Sequence, residues 1–194
     1  DTAAEQDSVI ARLDFTTGSI AWHVDALRRE WNDLEIPGFA IDQAYLEDEH
    51  DHDADHEDEH HEEEHEEVEN TRGFVANTGG ETESYSLGAS WIFDSGFLGL
   101  AVNRIENNYG LPAGAHDHAH GHDEDHEEEH GDNVSIDMER TRYDLTGEWR
   151  NLTPWIEHVD YRLTYSDYEH AELEGPGMIG TQYSNDAWQQ RLQV

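Results

Sequence analysis

The chain has 194 residues and sets 47 acidic side chains against 10 basic ones, for a net charge of −37. Such a field repels phosphate, which excludes nucleic acid as a partner, and it attracts cations. There is no Cys, so disulfides and thiolate sites are excluded and any metal must be held by imidazole and carboxylate.

The opening "DTAAEQDS" does not read as a signal peptide; it reads as a processed terminus or a cut within a longer chain. Strict alternation then begins. Val9, Ala11, Leu13 and Phe15 alternate with Arg12 and Asp14, and after "TG" the residues Ile20, Trp22 and Val24 alternate with His23 and Asp25. A period of two is the signature of a strand with two unlike faces. It returns in "ESYSLGASWIF", where Tyr85, Leu87, Ala89, Trp91 and Phe93 share a face opposite Ser84, Ser86, Gly88 and Ser90. In "TRYDLTGEW" the apolar face is Tyr143, Leu145, Gly147 and Trp149. In "WIEHVDYRLTYSDY" it is Val159, Tyr161, Leu163 and Tyr165, against His158, Asp160, Arg162, Thr164 and Ser166. Seven strands are predicted, near 8–16, 19–31, 83–93, 97–107, 134–150, 154–169 and 180–194.

Short turns alternate with long connections. "TG", "DSG" and "NLT" are short, 32–82 and 108–133 are long, and 170–179 is intermediate. Strands of a water-soluble sandwich or lipocalin-like barrel are usually about five or six residues long. Several here reach 11 or more, and a transmembrane strand needs roughly 9–11. No apolar run of 18 residues exists, so no membrane-spanning helix is expected. Outer-membrane barrels pair short periplasmic turns with long outer loops and face apolar residues outward. Phe93 and Phe97 flank "DSG", and Trp149 and Trp155 flank "NLT", as an interfacial aromatic girdle would. The expected fold is therefore all-β: a segment of a transmembrane antiparallel β-barrel with about seven strands. Residues 1–194 form the partial barrel, and 32–82 and 108–133 are its two acidic, His-rich extracellular loops. Seven is odd where single-chain barrels are even, and an open edge is not tolerated in lipid, so further strands are expected outside this sequence.

The two long loops hold 12 of the 15 histidines. The first tract, 47–69, reads "EDEHDHDADHEDEHHEEEHEEVE" and carries His50, His52, His56, His60, His61 and His65. The second begins "HDHAHGHDEDHEEEH" and carries His116, His118, His120, His122, His126 and His130. HExxH occurs at 56–60, 61–65 and 126–130. On a helix it would present two imidazoles with a Glu as the base of a metallopeptidase. The tracts hold only Ala54, Val68 and Ala119 as apolar residues, so nothing would dock such a helix or exclude water, and no enzyme is expected. Metal capture is the better reading. Imidazole suits Zn²⁺, Cu²⁺ and Ni²⁺, and a solvated acidic run alone would not explain the histidines. Spacing of four chelates on a helix and spacing of two chelates in an extended chain, so the twelve histidines are taken as metal ligands in several exchangeable sites. No catalytic cofactor is expected. His23 and His158 fall on polar strand faces and His170 ends a strand; each is most simply a satisfied polar-face residue. Arg142, Arg162, Asp144 and Asp160 are expected to form cross-strand pairs.

"NNYGLPAGAHDHAHGH" joins a strand ending in Tyr-Gly-Leu-Pro directly to a His-rich loop. This resembles the TonB-dependent outer-membrane zinc receptors. "YSLGASWIFDSGFLGLAVNRIENNYGLP", "RTRYDLTGEW" and "LTYSDYEHAELEG" are similar to early barrel strands of that family, and the likeness covers most of 83–187. It implies a 22-stranded barrel with an N-terminal plug, and zinc import across the outer membrane of a Gram-negative cell, driven by TonB. It carries the loop role onto His116, His118, His120 and His122. The plug and the TonB-contacting box have no counterpart in these residues, so TonB would act through parts absent from this sequence. The implied partners are divalent metal ions and outer-membrane lipid. The alternative from the residues alone is a soluble periplasmic or extracellular metal-buffering β protein.

Overall fold

The computed structural model describes residues 3–42, 70–112, 134–175 and 178–194. All twelve tract histidines lie outside them. The described residues form nine strands and no helix: β1 (Asp7–Thr17), β2 (Ile20–Trp31), β3 (Leu34–Phe39), β4 (Arg72–Val75), β5 (Gly80–Phe93), β6 (Gly96–Gly110), β7 (Ser135–Thr153), β8 (Ile156–Gly175) and β9 (Met178–Gln193). Seven pair antiparallel in the order β1-β2-β5-β6-β7-β8-β9, and β3 pairs with β4 in a small second sheet. The all-β reading holds, and the seven long strands fall where alternation places them.

Two details differ. The connection 32–82 is not loop throughout, because β3 and β4 occupy part of it. The intermediate loop 170–179 shrinks to residues 176–177, because β8 runs on to Gly175 and β9 begins at Met178. Ala171, Leu173 and Gly175 keep alternating with Glu172 and Glu174 there, so the period runs on past residue 169, where the expected strand stops. The described sheet is also open: β1 and β9 each have one sheet neighbour.

Short hairpin turns set the register. Thr17 faces Ile20 across Gly18 and Ser19, and Gly18 sits at φ 62°, the left-handed region that a tight turn needs and glycine enters freely. Phe93 faces Gly96 across Asp94 and Ser95. Register then carries each face across the whole sheet. Leu13, Val24, Leu87, Val102, Tyr143, Tyr165 and Trp188 form one unbroken row through seven strands. Along it Tyr143 stacks on Tyr165 at 6.2 Å, and Tyr165 meets Trp188 at 4.6 Å. Such pairs are each worth about 0.5–1.5 kcal/mol beyond their buried area.

No hydrophobic side chain is buried among the described residues. Among the described residues every extensive strand contact is between sheet neighbours, and no second layer covers either face. Leu87, Leu100, Tyr143 and Trp188 are 49%, 64%, 51% and 69% exposed. Toward the long-loop end the same face turns charged in the row Arg28, Glu83, Glu106, Glu139 and Glu169. Arg104 bonds Glu106 and Glu139 there, each at 2.7 Å. The apolar face is thus a band with a charged collar.

Candidate functional site

The structure shows what carries the two His-rich tracts rather than the tracts themselves. At the base of the first, the Asn70 side chain clasps Ile41 from both sides. Its Oδ1 accepts from the Ile41 amide at 2.9 Å, and its Nδ2 donates to the Ile41 carbonyl at 3.1 Å. The Ala40 amide donates to Thr71 O at 2.9 Å. At the base of the second, the Leu111 amide donates to Val134 O at 2.9 Å.

One residue joins the two bases. Asn77 follows β4, and its Nδ2 donates to the carbonyls of both Leu111 and Val134 at 2.6 Å. Gly110 N donates to Gly79 O at 3.0 Å beside it. Any Cβ at 110 would collide with Asn77, so the close approach requires glycine. Asn77 itself lies at φ 56°, where Asn is among the few side chains at home. The segment that follows the first tract, Asn70 to Asn77, therefore closes the first tract at one end and braces the second at the other. Replacing Asn77 with Asp puts an acceptor against two carbonyls. Amide exchange at Leu111 is expected to speed up at least tenfold, from the roughly 1–3 kcal/mol that an unsatisfied buried group costs. Amides in the centre of the β7–β8 ladder should keep their protection. Unchanged exchange at Leu111 would remove Asn77 from this role.

The polar face of the main sheet holds the remaining histidines. His23 lies between two carboxylates, its Nδ1 2.5 Å from Asp14 and its Nε2 2.8 Å from Asp25. Arg12 holds the other oxygen of Asp14 at 2.8 Å. Further along the face, Asp144 accepts from Arg142 at 2.8 Å and from Thr164 at 2.7 Å. Between these groups Gly88, Ser90, Gly99 and Ala101 floor a hollow of about 590 Å³. Small side chains leave that room, and charged ones border it. The expected cross-strand ion pairs are corrected in one respect. Arg142 pairs with Asp144 along its own strand, and Arg162 stands opposite Thr146 and Arg191 rather than a carboxylate. A spacing of two on an extended strand brings Arg142 and Asp144 together, while Asp144 also bonds Thr164 and feels the charge of Arg162 across the ladder. His170 lies within β8, not at its end. It stacks on Tyr183 at 4.6 Å and takes the Tyr168 hydroxyl on Nδ1 at 2.9 Å.

At the opposite end of the same face, beside the β7–β8 turn, Glu148, His158 and Asp160 come together. Each offers a ligand atom, and these atoms lie within 4.8 Å of one another. Sequence reading placed His158 and Asp160 on this face but did not bring Glu148 to them. No protein-family model matches the chain.

Proposed function

We propose that this chain is part of an outer-membrane receptor of the TonB-dependent zinc class, collecting divalent transition metal in two His-rich loops at the mouth of a β-barrel. The carrying observation is the two-faced sheet without a core. A water-soluble sheet of this width would bury its apolar face under a second layer. Lipid is the medium that accepts such a face uncovered. On β5 the apolar run from Phe93 to Tyr85 spans about 27 Å at ~3.4 Å per residue, comparable to the roughly 25 Å outward band of such barrels. The polar face, with His23, Asp14, Asp25, Arg142 and Asp144, then faces a wet lumen. Unpaired edges are not stable in lipid, so β1 and β9 would each pair with further strands of a closed barrel.

The metal reading rests on donor chemistry. Six histidines per tract among carboxylates give borderline-soft nitrogen ligands that Zn²⁺, Cu²⁺ and Ni²⁺ favour. Zinc is the choice the family resemblance favours, and energy from TonB would drive uptake. No step of this function is catalytic.

Fractionation with zinc titration tests the proposal. The protein should sediment with the outer membrane, need detergent to stay dispersed, and bind micromolar Zn²⁺. A protein that remains a monomer without detergent and still binds zinc would instead be a soluble metal buffer. One that binds no zinc would be neither.

A further inference from the structure

We infer that Glu148, His158 and Asp160 form a second divalent-metal site, separate from the tracts and at the other end of the polar face. Register builds it. Glu148 stands directly opposite Asp160, and Arg150 directly opposite His158, across the β7–β8 ladder. The four make a square on one face, with three metal donors and one cation at its corners. His158 Nε2 lies 2.7 Å from Asp160 Oδ2. Arg150 Nε holds Glu148 Oε1 at 2.8 Å, which fixes that carboxylate and leaves its second oxygen for another partner.

The geometry needs little adjustment. Three atoms within 4.8 Å of one another have a point no more than roughly 2.8 Å from each, against the ~2.0–2.2 Å of nitrogen and oxygen ligands on zinc. Small side-chain rotations close that gap. The ion would replace the hydrogen between His158 Nε2 and Asp160, and the neutral imidazole would carry its proton on Nδ1 instead. Beside Asp160, Phe97, Arg162, Arg191 and Gln193 border a hollow of about 230 Å³, room for the waters that complete a coordination sphere. One imidazole with two carboxylates suits Zn²⁺-class cations over Ca²⁺ or Mg²⁺, which take oxygen alone. Arg150 tempers the affinity by its charge, so the site is an exchanging one.

Its place follows from the proposed function, on which this part of the inference rests. With the tracts over the outer mouth, Glu148, His158 and Asp160 lie at the inner end of the lumen wall. A cation passing down the lumen would meet them last.

Residue-resolved labelling of the full chain with diethyl pyrocarbonate, read by mass spectrometry, tests the site. His158 is 47% exposed and open to the reagent. Zn²⁺ should protect His158 from carbethoxylation. Glu148→Gln with Asp160→Asn should raise the zinc needed for protection at least tenfold, as loss of ligands does. Arg150→Gln should lower it about threefold, by removing a nearby like charge. His23, held between Asp14 and Asp25 outside the cluster, should label at the wild-type level in each variant, with and without zinc, which reports that the variant is folded. Equal labelling of His158 with and without zinc, while the tract histidines are protected, overturns the second site and leaves metal capture standing. Protection of His158 alone does the reverse. Protection that survives both carboxylate substitutions also overturns the site.

Discussion

Replacing the twelve tract histidines with alanine is expected to weaken zinc binding about a hundredfold and to cut its stoichiometry from several ions per chain to about one. The substitution isolates ligation from electrostatics. Neutral imidazole adds nothing to the charge of −37 at pH 7, so the attracting field is unchanged. What disappears is the nitrogen donor, and carboxylates alone hold zinc loosely in water. Twelve imidazoles used two to four at a time give about three to six ions per chain, since zinc takes four ligands in all. The ion that remains would occupy Glu148, His158 and Asp160. Calorimetric titration of wild-type and substituted protein in detergent checks both numbers. Titration at lower pH supplies a second axis. Protons compete for the same nitrogens, so affinity should fall as pH drops through ~6.5, the ordinary imidazole value. Equal affinity and stoichiometry in the two proteins would end the metal-capture reading.

Leu100→Arg is expected to destabilise the bilayer-inserted protein by about 2–4 kcal/mol, the cost of a cation on the lipid face near mid-membrane. Ala101→Arg, one residue away, should cost much less. Leu100 is 64% exposed in the middle of the apolar band, in the row of Trp22, Ala89, Leu145 and Leu163. Ala101 points to the opposite face, between Gly88 and Asp144, where an Arg finds water and a carboxylate. On the proposed reading, two neighbours on one strand report on two media. Denaturant titration of the protein in lipid vesicles measures both. Equal costs, or a penalty only at Ala101, would overturn the assignment of faces.

Much of this was legible in the sequence, and alternation is the reason. One-residue slips exchange the faces of a strand, so a pattern as regular as Leu13 to Phe15 or Tyr85 to Phe93 leaves one choice of inward and outward. The small β3–β4 sheet was not legible. Four residues, Arg72–Val75, give too short a run for a period to show. The Glu148–His158–Asp160 cluster was half legible. Alternation puts Glu148 and Asp160 on one face, but which even-numbered residues oppose each other depends on the turn. Asn151 takes φ 56° and the ladder slips between Arg150 and Thr153, so counting outward from the Thr153–Ile156 closure gives the wrong partner for Glu148. The Asn77 clasp left no mark at all, because side-chain to backbone bonds across 34 and 57 residues follow no spacing rule.

The clasp has a consequence for how the protein samples its surroundings. The first tract, 47–69, lies between Ile41 and Asn70, and the second, which begins at His116, lies between Leu111 and Val134; each pair is hydrogen-bonded, and Asn77 bonds both residues of the second pair. A closed run of that length cannot carry any residue farther than roughly 50 Å from its base, whatever path it takes. Twelve imidazoles confined to such a sphere are present at tens of millimolar, however dilute the cell's surroundings. On the proposed reading, an ion that dissociates from one tract meets ligands of both at this local concentration before it reaches bulk water. If the tracts hold metal as proposed, the bracing by Asn77 makes residence time a property of the pair of loops rather than of either one.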